Sequence, residues 1–179
     1  MKEDFEGALK FVLEAEGGFT DDPDDPGGAT NDGIEQTEYD VWRKDLHETL
    51  QSVKNITLAE VSTIYRTKYW DAVHGDFLVP KVAYVMFDSA VNKGVGTAIR
   101  FMSEVLGVPP TYTFDNTLSQ VYHAWFDKGH TDLELAHGIL TRRTMKYTQL
   151  VVTNPRLSKF LDGWLNRIDS LSKLIVKLP

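Results

Sequence analysis

The feature that most constrains this chain is a helical stripe that ends on a glutamate and two glycines. Phe5, Ala8, Leu9, Val12 and Leu13 recur at i, i+3, i+4, i+7 and i+8, the spacing of one apolar helix face. One further step reaches Glu16, within about 20° of Phe5 at about 100° per residue. Glu3 and Glu14 fall on the opposite face with Lys10. Gly17-Gly18 then stops the helix, and a loop carrying Asp21, Asp22, Asp24, Asp25, Pro23, Pro26 and Gly27-Gly28 follows. A carboxyl partly withdrawn from water favours its protonated form, the state a general acid needs. A helix-end cap or an ion pair with arginine would place a glutamate there equally well.

The remainder reads as helices. Residues 37–53 carry Tyr39, Trp42, Leu46, Leu50 and Val53 at helical spacing, and Thr57-Leu58-Ala59-Glu60 is a capping box that opens the next helix. Val82 to Asn92 is apolar nearly all round and is expected to be the buried central helix. A helix over 97–106 ends at Gly107. Three more are expected over 115–128, from the capping box Thr131-Asp132-Leu133-Glu134 to about 152, and over 157–177. Few windows alternate with period two. The chain is therefore expected to be mainly α, with seven or so helices and a small irregular or β-hairpin lobe within residues 17–36. A loop of that length inside a compact domain is usually functional or disordered, and Phe19 and Ile34 predict that it is anchored.

Composition narrows the function. The chain has 179 residues and a net charge of −7, which argues against a nucleic-acid partner. It has no cysteine, so disulfides, thiol nucleophiles and Cys-ligated zinc are ruled out. No histidine pair stands at i, i+4, and an EF-hand starting at Asp22 would need ligands where Pro26 and Gly33 stand. No metal or cofactor is expected. The N-terminus lacks the continuous apolar core of a signal peptide, and no apolar run approaches about 18 residues. The expectation is a monomer made in the cytoplasm without membrane insertion. Arg142-Arg143 reads as part of a solvated helix face.

Glycosidases act with two carboxyl groups flanking the scissile bond. Glu16 is the candidate acid. Asp25 is the candidate for the second group, although Asp-Pro pairs are also ordinary turn formers. Thr30 is the candidate for orienting water. Aromatics such as Tyr39, Trp42, Tyr65, Tyr69 and Trp70 could stack on sugar rings or simply pack the core, and Trp70, next to Asp71 and a loop, is the best cleft candidate among them. The order Glu16, Asp25, Thr30 resembles the arrangement in phage-type lysozymes.

Larger blocks carry a closer resemblance. They are Glu16-Gly17-Gly18-Phe19, then Asp22-Pro23-Asp24-Asp25-Pro26-Gly27-Gly28-Ala29-Thr30-Asn31, then Gly33-Ile34. Tyr69-Trp70-Asp71, Phe87-Asp88-Ser89-Ala90-Val91-Asn92 and Gly163-Trp164-Leu165-Asn166-Arg167-Ile168-Asp169 follow. With them the chain resembles glycoside hydrolase family 108, N-acetylmuramidases of phage endolysins and bacterial chromosomes. The resemblance implies a lysozyme-like fold and cleavage of the β-1,4 bond between N-acetylmuramic acid and N-acetylglucosamine in peptidoglycan. It implies Glu16 as the family glutamate. Trp70, Tyr69, Asn92, Asn31 and Tyr39 are the candidate substrate-binding residues. A catalytic region over 1–95 and a C-terminal region over 96–179, resembling a predicted peptidoglycan-binding region and packed on the first, are expected. The setting it implies is a phage lysin made in the host cytoplasm that reaches the wall after release. A lytic transglycosylase and a non-catalytic wall-binding or secretion-accessory protein remain alternatives. Asp32 and Glu35 depart from the family pattern of an aromatic and a threonine, and 109–115 lacks the Asp-Gly-x-x-Gly usual in the C-terminal region.

Overall fold

The computed structural model describes residues 2–21 and 28–179. Among them are eight α-helices and one two-stranded antiparallel sheet. The chain resolves into two compact units, Leu9–Lys68 and Met1–Ala8 with Tyr69–Pro179. Helix α1, Lys2–Ala15, contributes residues to both.

The smaller unit holds the second half of α1, a hairpin and two short helices. Strands β1 (Thr30–Asn31) and β2 (Ile34–Glu35) pair Thr30 with Glu35 and Asn31 with Ile34. The two residues between them, Asp32 and Gly33, have φ of 49° and 75°. Positive φ at both central positions is the type I′ geometry, whose twist matches that of paired strands and which Asp-Gly adopts readily. Asp32 therefore stands where the turn needs a residue tolerant of left-handed backbone. Ile34 points into the core and Glu35 out to solvent.

Helix α2 runs Gln36–Asp45 and α3 runs Leu58–Tyr65. The capping box read from Thr57 and Glu60 is formed, with the Glu60 side chain accepting from the Thr57 amide at 2.8 Å. The expected helix over 37–53 stops eight residues early, because α2 spends its own side chains on the chain that follows it. Arg43 Nε donates to the Thr49 carbonyl at 2.6 Å. Gln36 donates to the Gln51 carbonyl at 2.9 Å and accepts from the Val53 amide at 2.6 Å. These bonds give the Thr49 and Gln51 carbonyls and the Val53 amide partners outside a helix. Leu9, Val12, Ile34, Tyr39, Val53, Val61, Ile64 and Tyr65 form the core of this unit.

The larger unit is a helical bundle. Helix α4 (Pro80–Lys93) packs against α5 (Val95–Val105), α7 (Asp132–Thr153) and α8 (Ser158–Ile175). Every residue from Val82 to Ala90 is buried, as a pattern apolar nearly all round predicts, and the burial extends to Asp88 and Ser89. Gly94, with φ of 82°, ends α4 and turns directly into α5. Helix α6 (Asn116–Asp127) is capped by Asp115, and Tyr122 on it accepts the Val79 amide at 2.9 Å. The second capping box, Thr131 with Glu134, opens α7.

One ionic cluster lies inside this bundle. Asp88 of α4 is 1% exposed and accepts from Arg143 of α7 and, at 2.9 Å, from Arg167 Nε of α8. Arg143 is fully buried and also donates to the Tyr147 hydroxyl at 2.9 Å. This corrects the expectation of a solvated Arg142-Arg143 face: Arg142 is on the surface, and Arg143 is a core residue. Burial, with Arg143 and Lys146 nearby, lowers the pKa of Lys93.

Candidate active site

In the smaller unit, α1 ends at Ala15 and Glu16 continues its last turn, its amide donating to the Val12 carbonyl at 3.1 Å. Glu16 is partly buried, as its place on the stripe predicts. Its carboxyl lies over the hairpin turn. A Cβ added to Gly33 would stand 3.3 Å from Glu16 Oε2 and 2.7 Å from the Tyr65 hydroxyl. The Tyr65 hydroxyl in turn donates to the Asp32 carbonyl at 2.8 Å. Three chain segments thus converge at one turn: the end of α1, the tip of the hairpin and the end of α3.

Thr30 begins the same hairpin. Its backbone bridges Thr20 in both directions, at 2.9 Å and 2.8 Å, and the two hydroxyls lie 2.7 Å apart. The bridge clamps both ends of the segment between them. Asp25 lies outside the described residues, as do Asp22 and Asp24.

The candidate binding residues have varied surroundings. Asn31 donates its side-chain amide to the Val53 and Lys54 carbonyls, at 3.2 Å and 3.4 Å, tying the hairpin to the 53–55 turn. Tyr39 is fully buried; its hydroxyl donates to Glu60 at 2.8 Å and accepts from Arg43 at 3.0 Å. Gln51 also donates to it. Burial pushes the Glu60 carboxyl up, but the Thr57 amide, the Tyr39 and Thr57 hydroxyls and the Arg43 guanidinium outweigh it and hold Glu60 below the usual carboxylate value. Trp42 stacks on Tyr39 and is partly exposed in a depression of about 440 Å³ with Val41 and Ile64.

Trp70, Tyr69 and Asn92 belong to the larger unit. Trp70 is fully buried, donates its indole N–H to Asp76 at 2.9 Å and packs edge-on against Phe5 and Phe87. Gly75 lies on the Trp70 ring, where a Cβ would come within 2.3 Å. In this structure Tyr39 and Trp70 are core residues with no ring face open to a ligand. Tyr69 is partly exposed, and Asn92 donates to the Asp88 carbonyl at 2.8 Å.

The sequence marks Gly33 only as part of a family block and Tyr65 only as one of several aromatics that stack on sugars or pack the core, and assigns neither a place beside Glu16. The adjacent Asp32-Gly33 pair was the available signal, since a type I′ turn brings backbone without side chain up to its neighbours.

Residues 9–94 match the family model described as glycosyl hydrolase 108. Over this region, a little under half of its length, the chain is similar to glycosyl hydrolase family 108. The match takes in Glu16, the hairpin, Tyr65 and α4. A solved structure, SagA of Brucella abortus, is 25% identical, with a TM-score of 0.76 over 98% of this chain and 95% of that one. No curated protein matches. The fold is mainly α and lysozyme-like, and the family likeness supports a glycoside hydrolase. Among its described residues, no helix is long and apolar enough to cross a membrane.

Proposed function

We propose that this chain is a peptidoglycan hydrolase of the N-acetylmuramidase type, cleaving the β-1,4 bond between N-acetylmuramic acid and N-acetylglucosamine. The observation that carries the reading is the Glu16 carboxyl seated on the Gly33 turn, within the region that matches the glycoside hydrolase family. Glu16 protonates the leaving glycosidic oxygen as the bond to the muramic acid C1 breaks. Water adds at C1, with Thr30 orienting it, and Asp25 is the group proposed to assist as base or nucleophile. If Asp25 takes the water proton directly, the configuration inverts. If it bonds to C1 first, the proton returns to Glu16 and the configuration is retained.

The accompanying proposal is a phage lysin made in the host cytoplasm and acting as a monomer on the wall after release. Its partner is bacterial peptidoglycan.

The test is Glu16→Gln on permeabilised Gram-negative cells and on purified sacculi. Loss of lysis with an unchanged melting temperature is expected; lysis at the parent rate overturns the assignment. Mass spectrometry of the products is expected to show reducing muramic acid ends, and anhydro-muropeptides would make the chain a lytic transglycosylase instead. Expression in the bacterial cytoplasm should lyse cells only with a co-expressed holin.

A further inference from the structure

We infer that Tyr65 is a positioning residue for Glu16, and that the bare α-carbon of Gly33 is the surface on which it acts. This inference rests on the proposed role of Glu16 as the acid.

Tyr65 is the last residue of α3 and is 2% exposed. Its hydroxyl is held by the Asp32 carbonyl at 2.8 Å. That bond sets the height of the turn relative to the phenol ring. The carboxyl of Glu16 and the hydroxyl of Tyr65 both enter the space that a Gly33 side chain would take, at 3.3 Å and 2.7 Å from the Cβ position. Even the smallest side chain would collide with the hydroxyl and crowd the carboxyl. Gly33 also has φ of 75°, where a side chain is strained.

The three residues therefore lock together. The glycine lets both oxygens come down onto the backbone, the hydroxyl pins the backbone, and the pinned backbone limits where the carboxyl can lie. A general acid must meet its oxygen within hydrogen-bond reach, and displacement by about 1 Å can cost about a hundredfold in rate. Neither the hydroxyl nor the glycine needs to touch the sugar. The effect should appear in the chemical step rather than in binding.

Tyr65→Phe removes one atom and keeps the ring. On soluble peptidoglycan fragments, kcat is expected to fall about tenfold or more with KM within about twofold, a loss of transition-state stabilisation alone. The Glu16→Gln/Tyr65→Phe double variant is expected to be no slower than Glu16→Gln, since Tyr65 acts through Glu16. A folded Tyr65→Phe chain with parent kcat overturns the inference, and so does a double variant in which the two losses multiply. If Tyr65→Phe does not fold, Gly33→Ala at a temperature where it stays folded takes its place, with the same kcat loss expected and parent kcat again overturning. Activity surviving Glu16→Gln would instead sink the proposed function, independently of Tyr65.

Discussion

The hydroxyls of Thr20 and Thr30 lie 2.7 Å apart, beside a pair of backbone hydrogen bonds that join the same two residues. One hydroxyl donates to the other, so the pair together offers one proton and spare lone pairs outward. A water oriented there would be held by the pair rather than by Thr30 alone. Thr30→Ser is expected to keep near-parent activity. Thr30→Val keeps the shape and breaks the pair, and kcat should fall by about tenfold or more, equivalent to about one hydrogen bond. Thr20→Val is expected to show a similar loss. Steady-state rates on soluble fragments check all three.

Gly33→Ala should be costly for folding as well as for rate. Left-handed backbone costs a non-glycine residue about 1–2 kcal/mol, and the contacts with Tyr65 and Glu16 add to it. A loss of about 2 kcal/mol or more is expected in urea unfolding. Gly28 also has positive φ, of 70°, but has open space around its Cβ position, so Gly28→Ala should lose only the backbone part.

Asp88 links three helices through two arginines. Removing it leaves Arg143 buried without its carboxylate, and one-sided loss of a buried pair costs about 3–5 kcal/mol. Asp88→Ala should lower the melting temperature by about 10 °C in a chain of this size. Replacing Arg143 and Asp88 together by apolar residues should recover much of that loss. Thermal melts followed by circular dichroism test both.

Glu60 should shape the acid side of the stability curve. Its folded pKa lies below that of an ordinary glutamate. Its contribution is therefore fully present above the unfolded value and is lost as pH falls through the folded one. Melting temperatures measured from pH 7 down to 3 should drop less steeply in Glu60→Gln than in the parent below about pH 4.5. The variant should be the less stable of the two at neutral pH.

Local signals carried most of the fold. The stripe Phe5 to Leu13 gave α1, Thr57 with Glu60 and Thr131 with Glu134 gave two helix starts, and a helix apolar nearly all round gave the buried α4. Each depends on residues within a few positions of one another. What was not legible depends on distant partners. Trp70 looks like a cleft residue beside a loop until Asp76 takes its N–H and Phe5 and Phe87 cover its ring. Arg143 looks solvated until Asp88, 55 residues away, meets it. Tyr39 looks like a sugar platform until Glu60, Arg43 and Gln51 take its hydroxyl. At the candidate site the glutamate was legible from helix phase, whereas Tyr65 and Gly33 needed three segments to be folded together.

The Thr20–Thr30 bridge has a consequence for how such a chain can diversify. Because Thr20 and Thr30 are fastened to each other at one place, the length of the stretch between them can change around a kept Asp25 while Glu16 and the hairpin turn stay where they are. Doubling such a stretch costs only about 0.6 kcal/mol in closure entropy. The bridge lets the stretch between Thr20 and Thr30, apart from the proposed Asp25, vary beside a fixed acid, so that substrate preference could be rewritten, in evolution or by grafting, without rebuilding the acid's support.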